Sequence, residues 1–142
     1  MRSVIVKFPG KPVEVKSVDA KYRVDCKSLI LGDGDTLQFV EMPMRIGSSC
    51  FCMMCDEEGL IKGLDFNFYL PMEETGRGMI RVDKIVGNVV FMRYRWENPY
   101  EKELWDFCLE DVTEQDIATV KKMFDEGSAL QKLIRFELNG GK

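Results

Sequence analysis

The sequence predicts an α+β fold in a single domain spanning 1–142: a curved, mainly antiparallel sheet, one helix packed near its N-terminal half and a C-terminal helical hairpin. Three observations lead there. Up to Trp96 the chain alternates apolar and polar residues in short runs broken by glycine and proline, the pattern of strands and turns. After Thr113 the apolar spacing changes to three and four, the period of a helix. With 142 residues and 45% apolar content, the chain is long enough to bury a core without covalent staples.

Met1 to Phe8 alternates, stops at Pro9-Gly10-Lys11-Pro12 and resumes at Val13, Val15 and Val18, which reads as a hairpin. Asp19 is placed to cap a helix starting at Ala20, with Tyr22, Val24, Cys26, Leu29 and Ile30 as its buried positions and Gly32 as its stop. Gly32-Asp33-Gly34-Asp35 is then a tight turn into a strand from Thr36 to Met42 that Pro43 closes. Cys50 to Cys55 is apolar without alternation, as expected of a central strand buried on both faces. Leu60 to Leu70 covers a turn and an aromatic segment, and Glu73 to Gly78 is a polar loop. Ile80–Val86 and Asn88–Trp96 form a pair of strand-like segments broken at Gly87. From about Glu97 the character turns helical and acidic, which divides the chain softly into 1–96 and 97–142. Thr113 and Asp116 make a capping box, with Ile117, Val120 and Phe124 on one helical face. Ser128 caps a second helix with Leu130, Leu133, Ile134 and Leu138 on its apolar side, ending at Asn139-Gly140-Gly141. The helical pair is expected against the sheet or against a second copy of the molecule.

Composition removes several function classes. Histidine is absent, and with it the commonest general base and a common metal ligand, so Ser-His-Asp, Cys-His and His-metal chemistries are excluded. No basic-apolar-small leader opens the chain and no apolar run approaches the length of a bilayer span, which predicts no export and no membrane partner. The five cysteines, Cys26, Cys50, Cys52, Cys55 and Cys108, are odd in number and clustered, which fits a reducing cytoplasm better than a disulfide framework.

Residues Asp56-Glu57-Glu58-Gly59-Leu60-Ile61-Lys62-Gly63-Leu64-Asp65-Phe66-Asn67 contain the pattern E-E-G-x-x-K-G-L-x-x-N. That pattern resembles the core of a family of small proteins from bacterial plasmids, conjugative elements and phages, catalogued as a domain of unknown function. The family plan of a strand pair, a helix ending in glycine and a strand before the signature, with an Ile-x-Gly-x-x-hydrophobic strand after it, is matched by Ile85-Val86-Gly87-Asn88-Val89-Val90. The resemblance covers residues 1–96 and implies a mobile-element setting without implying a reaction. The family is richer in proline near Asp65 and Phe66 and often carries arginine where this chain has Phe68. An anion site built on that arginine is not expected here.

Four constellations bear on chemistry. Cys50, Cys52 and Cys55, with Cys108 as a distant fourth thiolate, suggest a zinc site; in an extended strand, however, Cys50 and Cys52 face one way and Cys55 the other, so small core hydrophobes are the preferred reading. Arg77, Arg81, Arg93 and Arg95 suggest an anion- or nucleic-acid-binding face, against a plain solvent face paired with local acids. Between Glu97 and Asp116, Glu97, Glu101, Glu103, Asp106, Glu110, Asp111, Glu114 and Asp116 stand against Lys102 alone; such a strip either imitates a phosphate backbone or serves helix starts. Asp56, Glu57, Glu58 and Asp65 make either a carboxylate site or a charged turn. Methionines are frequent, and Met72 and Met79 are expected to be exposed near the polar loop, where they would suit a protein partner.

The sequence is therefore read as a non-catalytic accessory protein with no catalytic residues and no cofactor. Its expected contacts to a protein partner are Glu57, Glu58, Lys62, Asn67, Glu101, Glu103 and Asp106. Nucleic acid is the alternative partner, through the arginines, and a homodimer is compatible with the pattern. A small cysteine- or carboxylate-based enzyme or metal protein is the third reading.

Overall fold

The computed structural model describes residues 1–30, 37–73, 80–96 and 107–140. It has an antiparallel sheet with two C-terminal helices, the α+β class expected. Strands β1 (Arg2–Lys7), β2 (Glu14–Val18), β3 (Leu37–Ile46), β4 (Ser49–Asp56) and β7 (Val89–Trp96) run in the order β2-β1-β7-β4-β3, and β8 (Phe107–Glu110) pairs with the second half of β7. A separate ribbon of β5 (Phe66–Glu73) and β6 (Ile80–Val86) accompanies that sheet. Helices α1 (Glu114–Phe124) and α2 (Ala129–Leu138) follow.

β1, β2, β4, β6 and β7 appear where the apolar patterns placed strands, whereas β5 extends through Glu73 of the expected polar loop. β4 is paired on both sides, by β3 and β7, and covered on both faces, which is why Cys50 to Cys55 shows no polar alternation. One face carries Val4, Val6, Cys52, Met54, Val90 and Met92 beneath Cys26 and Ile30. The opposite face carries Ile5, Phe51, Met53 and Phe91 beneath Phe68 and Leu70 of β5 and Val120 and Phe124 of α1. The Phe68 and Phe91 rings meet Phe124 at centroid distances of 4.4 and 5.2 Å, so ribbon, sheet and helix share one aromatic centre.

Several local expectations are revised. The helix expected from Ala20 is a 3-10 helix from Arg23 to Leu29, with Val24 exposed. Its start is delayed because Tyr22 bridges to Cys108 and the Leu109 N–H donates to the Lys21 carbonyl, holding residues 21–22 extended against β8. Asp25, not Asp19, serves the helix start, accepting from the N–H groups of Lys21 and Tyr22 at 3.1 and 2.8 Å. Pro43 does not close its strand. It lies inside β3, an edge strand, between the paired positions Met42 and Ile46 where the register shifts, so its missing N–H interrupts no regular ladder bond. Phe107–Glu110, expected in the helical part, is a strand of the main sheet. The turn expected at Gly32–Asp35 and residues 74–78 of the expected loop lie outside the described residues.

The C-terminal helices keep their expected caps. Thr113 Oγ1 accepts from the Asp116 N–H at 3.0 Å while Asp116 Oδ2 accepts from the Thr113 N–H at 2.9 Å, and Ser128 Oγ accepts from the Gln131 N–H at 3.1 Å. The buried face of α2 differs from the one the spacing suggested. Gln131 and Ile134 are buried, whereas Leu133, Phe136 and Leu138 are exposed. Gln131 turns inward because its amide completes the hydrogen bonding of β5: Oε1 accepts from the Tyr69 N–H at 2.9 Å, and Nε2 donates to the Tyr69 and Met123 carbonyls at 2.8 and 2.9 Å.

Asp116 also carries a charge pair. Arg93 of β7 points from the sheet centre to α1, and its Nε and Nη2 donate to the two Asp116 oxygens at 2.7 and 2.6 Å, with both side chains almost fully buried. Nη2 also donates to the Met44 carbonyl at 2.9 Å. Burial pushes the Asp116 carboxyl up, but the Arg93 guanidinium and the Thr113 N–H outweigh it and leave the group below its ordinary value. No helix among the described residues is long and apolar enough to cross a membrane.

Breaking this pair strands a buried charge, so Arg93→Met or Asp116→Asn is expected to cost about 3–5 kcal/mol in urea unfolding, and the Arg93→Met/Asp116→Leu double variant less than the sum. Because the native Asp116 pKa is depressed, its contribution is present above the ordinary carboxylate pKa of about 4 and disappears as pH falls through the lower native value. Urea midpoints measured down the acid limb should fall more steeply for the parent chain than for Asp116→Asn.

Candidate functional site

The signature segment folds as a single, fully specified turn between β4 and β5. Asp56, buried at the end of β4, acts as an N-cap: its Oδ1 accepts from the Glu58 N–H at 2.9 Å and its carbonyl from the Gly59 N–H at 3.2 Å. The Lys62 N–H returns to the Glu58 carbonyl at 3.0 Å, and the Lys62 ammonium reaches Asp56 Oδ2 at 3.0 Å. Gly63, at φ +68°, ends the turn as a Schellman motif, its N–H on the Leu60 carbonyl and the Leu64 N–H on the Gly59 carbonyl. The regularities of the signature thus have physical causes: an acid at the cap, acids in the first turn, lysine in the last turn and glycine where a left-handed residue is needed.

The turn is seated on the junction of β6 and β7. A Cβ at Gly59 would lie 2.7 Å from Val86 Cγ2, and one at Gly87, whose φ is +77°, would lie 2.7 Å from Leu64 Cδ1. The Gly87 N–H donates to the Asp65 carbonyl at 2.7 Å. Asn67 follows, buried, with Nδ2 donating to the carbonyls of Lys7 and Gly87, each at 2.7 Å.

This geometry divides the residues expected to contact a partner. Glu57 and Glu58 are exposed at the start of the turn. Lys62 reaches back to Asp56, and Asn67 is buried within the fold, so Asn67 is a structural residue and not a surface contact. Leu60 and Ile61, which were not among the expected contacts, are 66% and 87% exposed. An apolar pair between two acids and the glycine that ends the turn was the available signal, since a single turn has no second face to bury. Beside the turn lies a cavity of about 260 Å³ whose wall includes Glu57, Leu60, Met72, Asp83 and Lys84. Met72 is half-buried against the core and not freely exposed; Met79 lies outside the described residues.

The arginines do not form one exposed cationic surface. Arg93 is buried under α1, Arg81 sits on the separate ribbon paired with Asp83 at 3.1 Å, Arg95 is exposed on β7, and Arg77 lies outside the described residues. Arg95 borders a cleft with Arg2 and Lys21, but Glu110 and Asp111 line it too. The fold itself also occupies part of the acidic strip. Glu110 accepts from Ser49 Oγ at 2.9 Å, Asp111 from the Ser3 N–H at 2.9 Å, and Asp116 pairs with Arg93. Glu101, Glu103 and Asp106 lie outside the described residues.

The cysteines behave as core residues. Cys50 and Cys52 belong to the same packed face as Cys26, Cys55 belongs to the other, and Cys108 is half-buried on β8. Burial pushes the Cys26 and Cys55 thiols up to about 11 and the Cys52 thiol up to about 12, against the direction a nucleophile or metal thiolate requires. Among the described residues no three His, Cys, Asp or Glu side chains are grouped to hold a metal ion.

Two measurements test this account. Gly87→Ala should cost about 2 kcal/mol or more in urea unfolding, part of it recovered when Leu64→Ala opens the space its methyl needs. With a colorimetric thiol reagent at mildly alkaline pH, Cys108 should react in the native protein, and Cys26, Cys50, Cys52 and Cys55 only on unfolding.

Compared with family models, with curated proteins and with solved structures, the chain finds no match in any of the three.

Proposed function

We propose that this chain is a non-catalytic accessory protein of a bacterial mobile element and that the turn Glu57–Lys62 is its contact with a protein partner. The single observation that carries the reading is the exposure of Leu60 and Ile61 at the tip of a turn whose backbone is already fixed by a cap, a Schellman motif and the Asp56–Lys62 pair. Two large apolar side chains held in water are a hydration cost that burial against a partner removes, and a fixed turn loses little backbone entropy on docking. Glu57 and Glu58 give the apolar tip an acidic border, so the complementary surface is an apolar pocket edged by basic residues.

The mobile-element setting rests on the signature. The non-catalytic part rests on how the candidate groups are employed: Asp56 caps the turn and pairs with Lys62, and three thiols are held protonated by burial.

A photo-crosslinking amino acid at position 61, introduced in bacterial cells carrying the element, should give a discrete protein adduct. The same label at exposed Leu133 should not, and adding Leu60→Asp should abolish the adduct while changing stability by no more than about 0.5 kcal/mol. Identical adducts from both labels, or no adduct at position 61, would remove the turn as the contact.

A further inference from the structure

Where β1, β5 and the α1–α2 connection meet, the structure forms a cleft of about 330 Å³ lined by Lys7, Phe66, Asn67, Phe124, Gln131 and Arg135, with Glu126 the carboxylate-bearing residue in its wall among the described residues. That size lies within the usual range for small-ligand sites. Two features of its wall are unusual. Lys7 is fully buried, yet its ammonium makes one hydrogen bond, to the Phe8 carbonyl at 3.0 Å, and among the described residues no carboxylate lies within ion-pairing distance. A buried ammonium has three protons to donate, and leaving them without acceptors is costly.

The second feature is Asn67 Oδ1, the one buried side-chain oxygen or nitrogen without a partner among the described residues. Its identity as oxygen is fixed by chemistry: the other terminal atom faces the carbonyls of Lys7 and Gly87, both acceptors, and must be the amide nitrogen. The contrast with Gln131 is instructive, because that amide lines the same cleft with both its oxygen and its nitrogen hydrogen-bonded. Buried polar atoms are almost always paired, so an orphan acceptor and an under-coordinated cation on two residues that line one cleft point to a third party.

We propose that this cleft binds a small organic carboxylate that also carries a hydrogen-bond donor, its anionic group accepting from Lys7 and its donor giving to Asn67 Oδ1. The charges in the wall, Lys7 and Arg135 against Glu126, favour a single negative charge. Phe66 and Phe124 supply apolar walls for a flat or compact carbon skeleton. Burial pushes the Lys7 ammonium down from its ordinary value, with Asp125 and Glu126 pulling partly back, and a bound carboxylate would restore it. The site does not depend on the partner contact proposed for the turn.

The test is a titration of the ¹⁵N-labelled full chain with 3-hydroxybenzoate, with benzoate lacking the donor and 3-hydroxybenzamide lacking the charge as controls. Binding of 3-hydroxybenzoate should shift the Asn67 and Gln131 side-chain amides, and each control should bind on the order of 10-fold more weakly. Lys7→Met should weaken binding by a similar factor. If that variant does not fold, the comparison of the three compounds on the parent chain decides. Absence of shifts up to roughly 10 mM, or equal affinity for all three compounds, overturns the proposal.

Discussion

The bidentate contact between Arg93 and Asp116 is the constraint on which the rest of the structure depends. It joins the centre of the sheet to the first turn of the helix that covers it, and both side chains are almost completely withdrawn from water. Such a pair contributes little net energy compared with a well-packed apolar replacement, but it is unforgiving of displacement, because either charge alone would be stranded. The same carboxylate closes the capping box on Thr113, and the same guanidinium holds the Met44 carbonyl beside the bulge of β3. Helix start, sheet centre and edge-strand irregularity are therefore set by one contact, and the position of Phe124 over Phe68 and Phe91 follows from it.

The opposite face of the sheet is organised around a second buried arginine by different means. Arg23 is sandwiched over the rings of Phe39 and Tyr94, at 4.2 and 4.4 Å from their centroids, and reaches Glu41 at 3.5 Å, while the Tyr94 hydroxyl donates to the same carboxylate at 2.6 Å. Here the cation is shielded largely by aromatic faces, and its carboxylate partner remains half in water.

The turn at Glu57–Lys62 is a product of this scaffold. Its backbone bonds are local, but its seat is the Val86–Gly87 corner, where the ribbon passes into the main sheet and no side chain at position 59 or 87 could be accommodated without displacement. A rigid support under a short apolar tip is the arrangement in which exposure of Leu60 and Ile61 is maintained and not relieved by collapse onto the core. The partner contact proposed for this turn uses that rigidity, and the buried Asn67 below it places an internal clamp within a few residues of the exposed tip.

What could be read from the sequence was whatever depends on neighbours in the chain. The strand at Arg2–Lys7, the two-sided burial of Cys50–Cys55, the opposite facing of Cys52 and Cys55, and the caps at Thr113 and Ser128 follow from backbone period and local hydrogen bonding, and each appears as expected, although Val4–Lys7 is buried on both faces where alternation implied one. What depended on distant partners was not readable. Arg93 and Arg95 share a strand face by period, yet one is buried under a helix and the other exposed, because only Arg93 meets Asp116 across 23 positions. Gln131 displaces Leu133 from the inner face of α2 because Tyr69 offers unpaired backbone groups that only an amide can satisfy. Asn67 looked like a surface contact and is an internal clamp, since its donors find the carbonyls of Lys7 and Gly87. The sequence by itself determined the class of fold, the strands with a clear apolar pattern and the caps of the two C-terminal helices. Which polar side chains are buried was decided only in the tertiary structure, because pairing a buried charge or amide requires partners that local spacing does not specify.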